Sequence, residues 1–186
     1  MYQAADLRKG LRIEIEGQPY VVTEFNFVKP GKGQAMYVCK LKQLLTGSTL
    51  TRSFRANEKF DEAVLEYKKC TFSFTDGKHY TFLDEDFEQI TIPAELLGNQ
   101  KFFIVENMEL ELVYYKGIPV EVGMPNFVEK VIIHTEPGVR GDTATNVTKP
   151  ATLEGGYEIR VPLFINQGDV LRIDTRTGEY VDRVKK

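Results

Sequence analysis

Apolar positions recur every second residue along most of this chain. In Leu11-Arg12-Ile13-Glu14-Ile15 apolar and charged residues alternate strictly before Glu16-Gly17 turns the chain. Similar strand-like runs occupy residues 20–28, 36–41, 50–54, 70–75, 79–83, 109–115, 118–122, 128–133, 169–174 and 179–183. A period of two places alternate side chains on opposite faces of a strand, one for the core and one for water. Asp76-Gly77 between two such runs predicts a two-residue hairpin. Lys116-Gly117 and Thr175-Arg176-Thr177-Gly178 mark further turns, and Asp84-Glu85-Asp86 reads as a solvated one. A helical pattern is confined to Pro93-Ala94-Glu95-Leu96-Leu97-Gly98, where an early proline and a closing glycine predict a single short turn. Many short strands with frequent turns predict an all-β chain of small barrels or sandwiches. No internal repeat is visible in the residues.

Composition is that of a globular protein, with 42% hydrophobic and 27% charged residues in 186. No apolar run approaches the roughly 20 residues that span a bilayer. The start, Met1-Tyr2-Gln3-Ala4-Ala5-Asp6, lacks a basic head before an apolar stretch, so no secretory signal is expected. Cys39 and Cys70 are far apart in strand-like surroundings and read as buried free thiols of a reducing compartment. Charge subdivides the chain. Residues 1–60 carry ten Lys/Arg against five Asp/Glu, residues 61–127 five against thirteen, and residues 128–186 nine against nine. The shifts predict three β domains, residues 1–63, 64–127 and 128–186. Each is small enough to be marginally stable alone. The basic third would attract phosphate.

That basic third holds Lys29-Pro30-Gly31-Lys32-Gly33-Gln34-Ala35 between two strand-like runs. Proline and two glycines predict a hairpin loop whose glycines can take positive φ, leaving Lys32 alone at the apex. Catalytic constellations are missing. His79 and His134 have no metal-like spacing, and no nucleophile elbow, Walker loop or dinucleotide fingerprint occurs. Neither a metal nor a cofactor is expected, and nothing points to an enzyme. A second glycine-rich loop, Pro137-Gly138-Val139-Arg140-Gly141-Asp142-Thr143, offers backbone donors of the kind that contact phosphate or base edges. Tyr180 beside Arg183 could stack on bases, as aromatics on small barrels do.

Taken in order, these segments resemble the bacterial elongation factor P family over essentially the full length. The tip loop at residues 29–35 matches, as does Leu44-Leu45-Thr46-Gly47 after it. Later come Gly141-Asp142-Thr143, Lys149-Pro150-Ala151-Thr152-Leu153, Gly156, Val161-Pro162, Gly168 and Asp174-Thr175-Arg176-Thr177-Gly178-Glu179-Tyr180. The resemblance implies an SH3-like barrel followed by two OB-fold barrels. It implies a cytoplasmic, monomeric, RNA-binding translation factor that binds the 70S ribosome beside the peptidyl-tRNA. There it relieves stalling at consecutive prolines, notably with prolyl-tRNA. Lys32 corresponds to a lysine that a dedicated modifying enzyme extends. Lys29, Pro30, Gly31, Lys32, Gly33 and Gln34 would lie near the tRNA CCA end. Arg140, Gly141, Asp142 and Thr143 would lie near the exit-site codon, with Tyr180 and Arg183 against the tRNA. A lysine at position 32 disfavours the arginine-tipped branch of the family.

Two readings outside this family stay open from the residues alone. One is a general OB-fold binder of single-stranded nucleic acid, which would bind free oligonucleotides with a steep salt dependence. The other is a β-rich enzyme with Lys32 as nucleophile, which would require that lysine to be buried and its pKa lowered.

Overall fold

The computed structural model describes residues 1–138 and 147–184. The described chain is all-β, three antiparallel sheets following one another in sequence. The first sheet contains β1 (Tyr2–Gln3), β2 (Arg12–Ile15), β3 (Gln18–Val28), β4 (Met36–Gln43), β5 (Thr49–Arg55) and β6 (Lys59–Glu62). Its order is β1-β6-β2-β3-β4-β5: β2 to β5 form a meander and β6 returns between β2 and β1, the layout of an SH3-like barrel. Ile13, Val22, Cys39, Leu41 and Phe54 fill it, each on the inward phase of its strand. Alternation of residue type therefore becomes a closed core with a wet outer face.

The second sheet contains β7 (Leu65–Thr75), β8 (His79–Asp84), β9 (Gln89–Pro93), β10 (Glu109–Tyr115) and β11 (Ile118–Gly123), in the order β11-β10-β7-β8-β9. The third contains β12 (Phe127–Thr135), β13 (Thr148–Leu153), β14 (Glu158–Pro162), β15 (Val170–Asp174) and β16 (Glu179–Arg183), in the order β14-β13-β12-β15-β16. These two orders are the same. The first strand of each unit pairs with its second and fourth, and the third and fifth strands approach to close the barrel. This is the five-stranded OB arrangement.

The duplication extends to the irregularities. In each unit the first strand slips register against the second, at Phe72/Phe74 and at Ile132/His134. In each the fourth slips against the fifth, at Val113/Tyr114 and at Arg172/Ile173. Bulges bend a strand and increase its twist, which a sheet needs in order to curl into so small a barrel. The internal repeat is one of topology and bulge position, which is why the residues do not display it.

Three expectations are refined. The Asp76-Gly77 hairpin is longer than two residues: β7 ends at Thr75 and β8 starts at His79, the last pair in register is Thr75↔Tyr80, and the Asp76 carboxylate caps the N–H groups of Lys78 and His79 at 2.8 and 2.6 Å. The short helical turn is α1 (Ala94–Leu97), with Pro93 as its cap and Gly98 ending it at φ +55. Strands β1, β6, β9, β13 and β14 escape the alternation reading. Three of these contain or end on a proline, and β6 is mostly charged.

Adjacent barrels are joined by packed side chains. Between the first two lies an apolar seam of Leu44, Ala63, Val113, Tyr115 and Val120. Polar contacts edge it. Both Nε and Nη2 of Arg12 donate to one oxygen of Glu121, at 3.2 and 2.7 Å. The Tyr115 hydroxyl donates to Glu14, and Lys116 Nζ lies 3.4 Å from the same carboxylate. Gly47, at φ +74, faces the α1 turn so closely that a β-carbon would sit 3.4 Å from the Leu96 side chain. Between the second and third barrels, Phe103 leaves the second and enters the core of the third, meeting the Tyr157 ring edge-on at 5.1 Å.

Hydrogen bonding from Tyr115 holds the Glu14 carboxyl below its ordinary range, against the opposing effect of burial and with help from Lys116. A carboxylate with a depressed folded pKa stabilises above its unfolded pKa, and that contribution fades as pH falls through the folded value. Tyr115→Phe should therefore cost about 1–3 kcal/mol in urea unfolding at neutral pH. The gap from the parent should narrow on acidification below the carboxylate range. Phe103→Ala should cost about 3–5 kcal/mol by the same measurement, with amide protection lost first in β12–β16.

Candidate RNA-facing hairpin

The β3–β4 hairpin is the longest element pair of the first barrel. It remains in register from Tyr20↔Gln43 to Val28↔Met36, with one slip between Val22 and Glu24. Its lower half is anchored by buried Val22, Cys39 and Leu41. Beyond the Phe25↔Cys39 pair it runs past the core, and Phe27, Val28 and Met36 are exposed. An isolated ribbon of that kind would twist and fray. Here an aromatic ladder stiffens one face: Phe25 stacks on Tyr37 at 5.8 Å and Phe27 packs on the same ring at 5.1 Å. Strand β5 supports the other edge as far as Met36↔Arg55.

Residues 29–34 cap this ribbon and are all exposed. Gly33 takes the left-handed side at φ +139, and a β-carbon there would press on the Pro30 ring at 3.3 Å. Gly31 does not use positive φ. Its role is to keep the apex bare, since nothing lies within 4 Å of where a side chain would start. Lys32 thus stands between two residues without side chains, and no acidic group within the described residues pairs with it or with Lys29. An exposed lysine on a bare turn is suited to reach for an anion or to be extended covalently. It lacks the desolvation that a lysine nucleophile requires.

The remaining sequence-predicted positions lie elsewhere. Residues 140–143 lie outside the described residues. Tyr180 and Arg183 are both on β16, in the third barrel. The Tyr180 ring is half-buried against that barrel's core, and burial raises its hydroxyl pKa. Arg183 lies over the Phe164 ring at 5.6 Å and 3.6 Å from Asp169. A similar pattern flanks it: Arg172 and Arg176 both lie over exposed Phe127, at 5.6 and 5.7 Å. These guanidinium–aromatic pairs were invisible in the residue order because the partners lie on different segments, from about 20 to about 50 positions apart.

Other chemistry is structural. Cys39 and Cys70 are free and buried, and burial raises the Cys70 thiol to about 11, far from a reactive thiolate. His79 and His134 are exposed beside Asp76 and Glu136. No cluster of His, Cys, Asp or Glu able to hold a metal occurs among the described residues, and no helix among them is long and apolar enough to cross a membrane.

Comparison with known proteins agrees with this layout. The family profile described as the elongation factor P KOW-like domain matches residues 3–60. The elongation factor P OB domain matches residues 65–122, and the elongation factor P C-terminal profile matches residues 121–183. An elongation factor P from Syntrophus aciditrophicus is 48% identical over 186 residues, covering all of both chains. One from Clostridium tetani is 50% identical over 185 residues, covering 99% of this chain and all of the other. Archaeal translation initiation factor 5A from Methanococcus jannaschii matches at 18% identity and TM-score 0.45, covering 65% of this chain and 94% of that one. A KOW-like barrel with a bare basic hairpin, followed by two OB barrels, defines a modular translation factor. Full-length identity near one half is decisive within that class: the chain belongs to the elongation factor P family, whose members are translation elongation factors.

The hairpin geometry makes a direct prediction. Gly33→Ala should alter tip-loop amide chemical shifts, because the new methyl meets Pro30 and the backbone leaves its preferred φ. Its melting temperature should stay within about 2 °C of the parent, since the loop lies outside every core cluster.

Proposed function

We propose that this factor binds the ribosome beside the peptidyl-tRNA and promotes peptide-bond formation at consecutive prolines by ordering the tRNA CCA end. The observation that carries this reading is the bare, uncompensated Lys32 at the end of a hairpin stiffened by Phe25, Tyr37 and Phe27. Proline's ring fixes φ and restricts the chain near the reacting ester. No acid or base need be supplied. Holding the peptidyl end in a reactive geometry lowers the entropic part of the barrier, and a rigid stalk with a cationic tip can do that. Lys29, Pro30, Gly31, Gly33 and Gln34 shape the approach to the CCA end. A lysine-modifying enzyme lengthens Lys32, adding reach and donors. The third barrel holds the factor in register, with residues 140–143 toward the exit-site codon and Tyr180 and Arg183 toward the tRNA. The working units are residues 1–63, 64–127 and 128–186, and the factor acts as a cytoplasmic monomer.

Lys32→Ala should abolish stimulation of Pro-Pro-Pro synthesis in a reconstituted translation assay while the circular-dichroism melt is unchanged. Full activity of a folded Lys32→Ala protein would end this mechanism. Intact mass and peptide mapping of protein from its native host should find added mass on Lys32. Saturable binding of free single-stranded RNA, as tight as binding to programmed ribosomes, would favour a general OB-type binder instead.

A further inference from the structure

The first barrel is basic overall, but its cations are not equally available. On one side they are matched: Lys40 meets Glu24 at 3.2 Å, and Arg52 meets Glu16 at 3.0 Å. Arg12 is held by Glu121 at 2.7 Å, and Lys42 donates to the Leu96 carbonyl at 3.2 Å. Arg8, Lys9, Arg55 and Lys59 differ: all are exposed, and none has an acidic partner within 4.0 Å among the described residues. Of these, Arg8 and Lys9 are direct neighbours. They sit in the turn before β2, where the Gly10 N–H donates to the Val22 carbonyl at 2.7 Å and fixes the turn against β3.

Two grooves meet at this corner. One, of about 400 Å³, runs from Arg8 and Lys9 along Thr23, Glu24, Phe25 and Asn26 of β3. The other, of about 430 Å³, runs from Arg8 toward the second barrel, between Tyr2 and Tyr67. Arg8 lines both. The first groove leads up β3 to exposed Phe27 and then to Lys29 and Lys32. The second ends at Tyr67, whose ring is 56% exposed at the start of the second barrel. Free cations at residues 8 and 9 thus lie between exposed Tyr67 on one side and Phe27, Lys29 and Lys32 on the other, with Glu62 lining the second groove and Glu24, paired with Lys40, lining the first. Cations spaced among stacking faces suit a single polyanionic strand with bases, and unpaired cations can release counterions that paired ones cannot.

We propose that the Arg8–Lys9 corner is a second RNA-backbone contact, and that it determines which side of the first barrel faces the RNA. This rests on the ribosome-binding reading above. Arg8 and Lys9 would each take a backbone phosphate while the hairpin tip reaches onward, so they are positioning residues for Lys32. The part of the β4–β5 side where Lys40 and Arg52 are matched faces away.

The test compares two double variants of equal charge change, Arg8→Gln/Lys9→Gln and Lys40→Gln/Arg52→Gln. Binding of each full-length protein to ribosomes carrying peptidyl-tRNA is measured across a salt series. The parent comes first: if it shows no saturable binding, the ribosome reading itself fails, independently of this corner. Given parental binding, Arg8→Gln/Lys9→Gln should weaken it and flatten the log–log salt slope by about 2, one per lost phosphate contact. The Lys40→Gln/Arg52→Gln protein should keep the parental slope. Arg8→Lys/Lys9→Arg should restore it. Melting temperatures confirm that each variant is folded, and native Lys32 modification, read by mass, should be unchanged in all of them. Equal slopes for the two double variants, or a loss confined to the Lys40/Arg52 pair, would overturn the assignment.

Discussion

The structure depends on one connector. Between β9 and β10 the chain makes the α1 turn and a following 3-10 segment (Gly98–Phe102) rather than a plain loop. At its start, the Leu96 carbonyl accepts from Lys42, and the Leu96 side chain faces Gly47 of the first barrel. At its end, Phe102 and Phe103 meet Tyr157 at 5.4 and 5.1 Å, and Phe103 enters the third core. The same stretch, residues 94–103, therefore joins the second barrel to both neighbours. In the third barrel the equivalent connection between β14 and β15 has no helix, and it presents exposed Phe164 under Arg183 instead. Two copies of one topology thus diverge at one connection: in the second barrel it builds the joints, and in the third it meets solvent.

That division explains the charge map. A barrel that fixes its neighbours needs buried apolar surface and a few directed polar contacts, and the second barrel supplies Val113, Tyr115 and Val120 with Glu121 beside them. Its surplus of carboxylates is exposed and takes no part in the tip. The first barrel carries the net positive charge, yet matched pairs neutralise much of it. The free remainder is Lys29 and Lys32 at the tip, the adjacent Arg8 and Lys9, and the separate Arg55 and Lys59, so the location of uncompensated charge is more informative than its total.

Strand alternation was legible in the sequence where one face is packed and the other wet, as in β16, whose limits match the expected 179–183. The limits of β10 match the expected 109–115 as well, although Val113 and Tyr115 bury its second face against the first barrel. It was not legible in β13, where an inward position is polar: Lys149 is 5% exposed and reaches the Glu136 carbonyl at 2.6 Å. Such residues break the pattern because a long aliphatic stem can lie in a core while its ammonium finds a carbonyl. Repeated topology was hidden for a related reason. Bulges at matching places preserve barrel shape without preserving residue type, so geometry recurs where sequence does not.

The tip was legible because its constraint is local. Gly33 is needed where it stands by loop geometry against Pro30, Gly31 leaves the apex bare, and both can be read from seven consecutive residues. The stalk beneath was not, because its stiffness comes from ring contacts across β3 and β4 that only register reveals. Position at a distance requires both parts. A bare lysine on a slack ribbon would sample many places and order nothing, and a stiff ribbon with an encumbered tip could not approach a backbone closely. Rigid joints at Glu14–Tyr115 and Phe103–Tyr157 extend the same requirement through the molecule. The proposed positioning role of Lys32 therefore requires that every link from the third barrel to the tip resist bending.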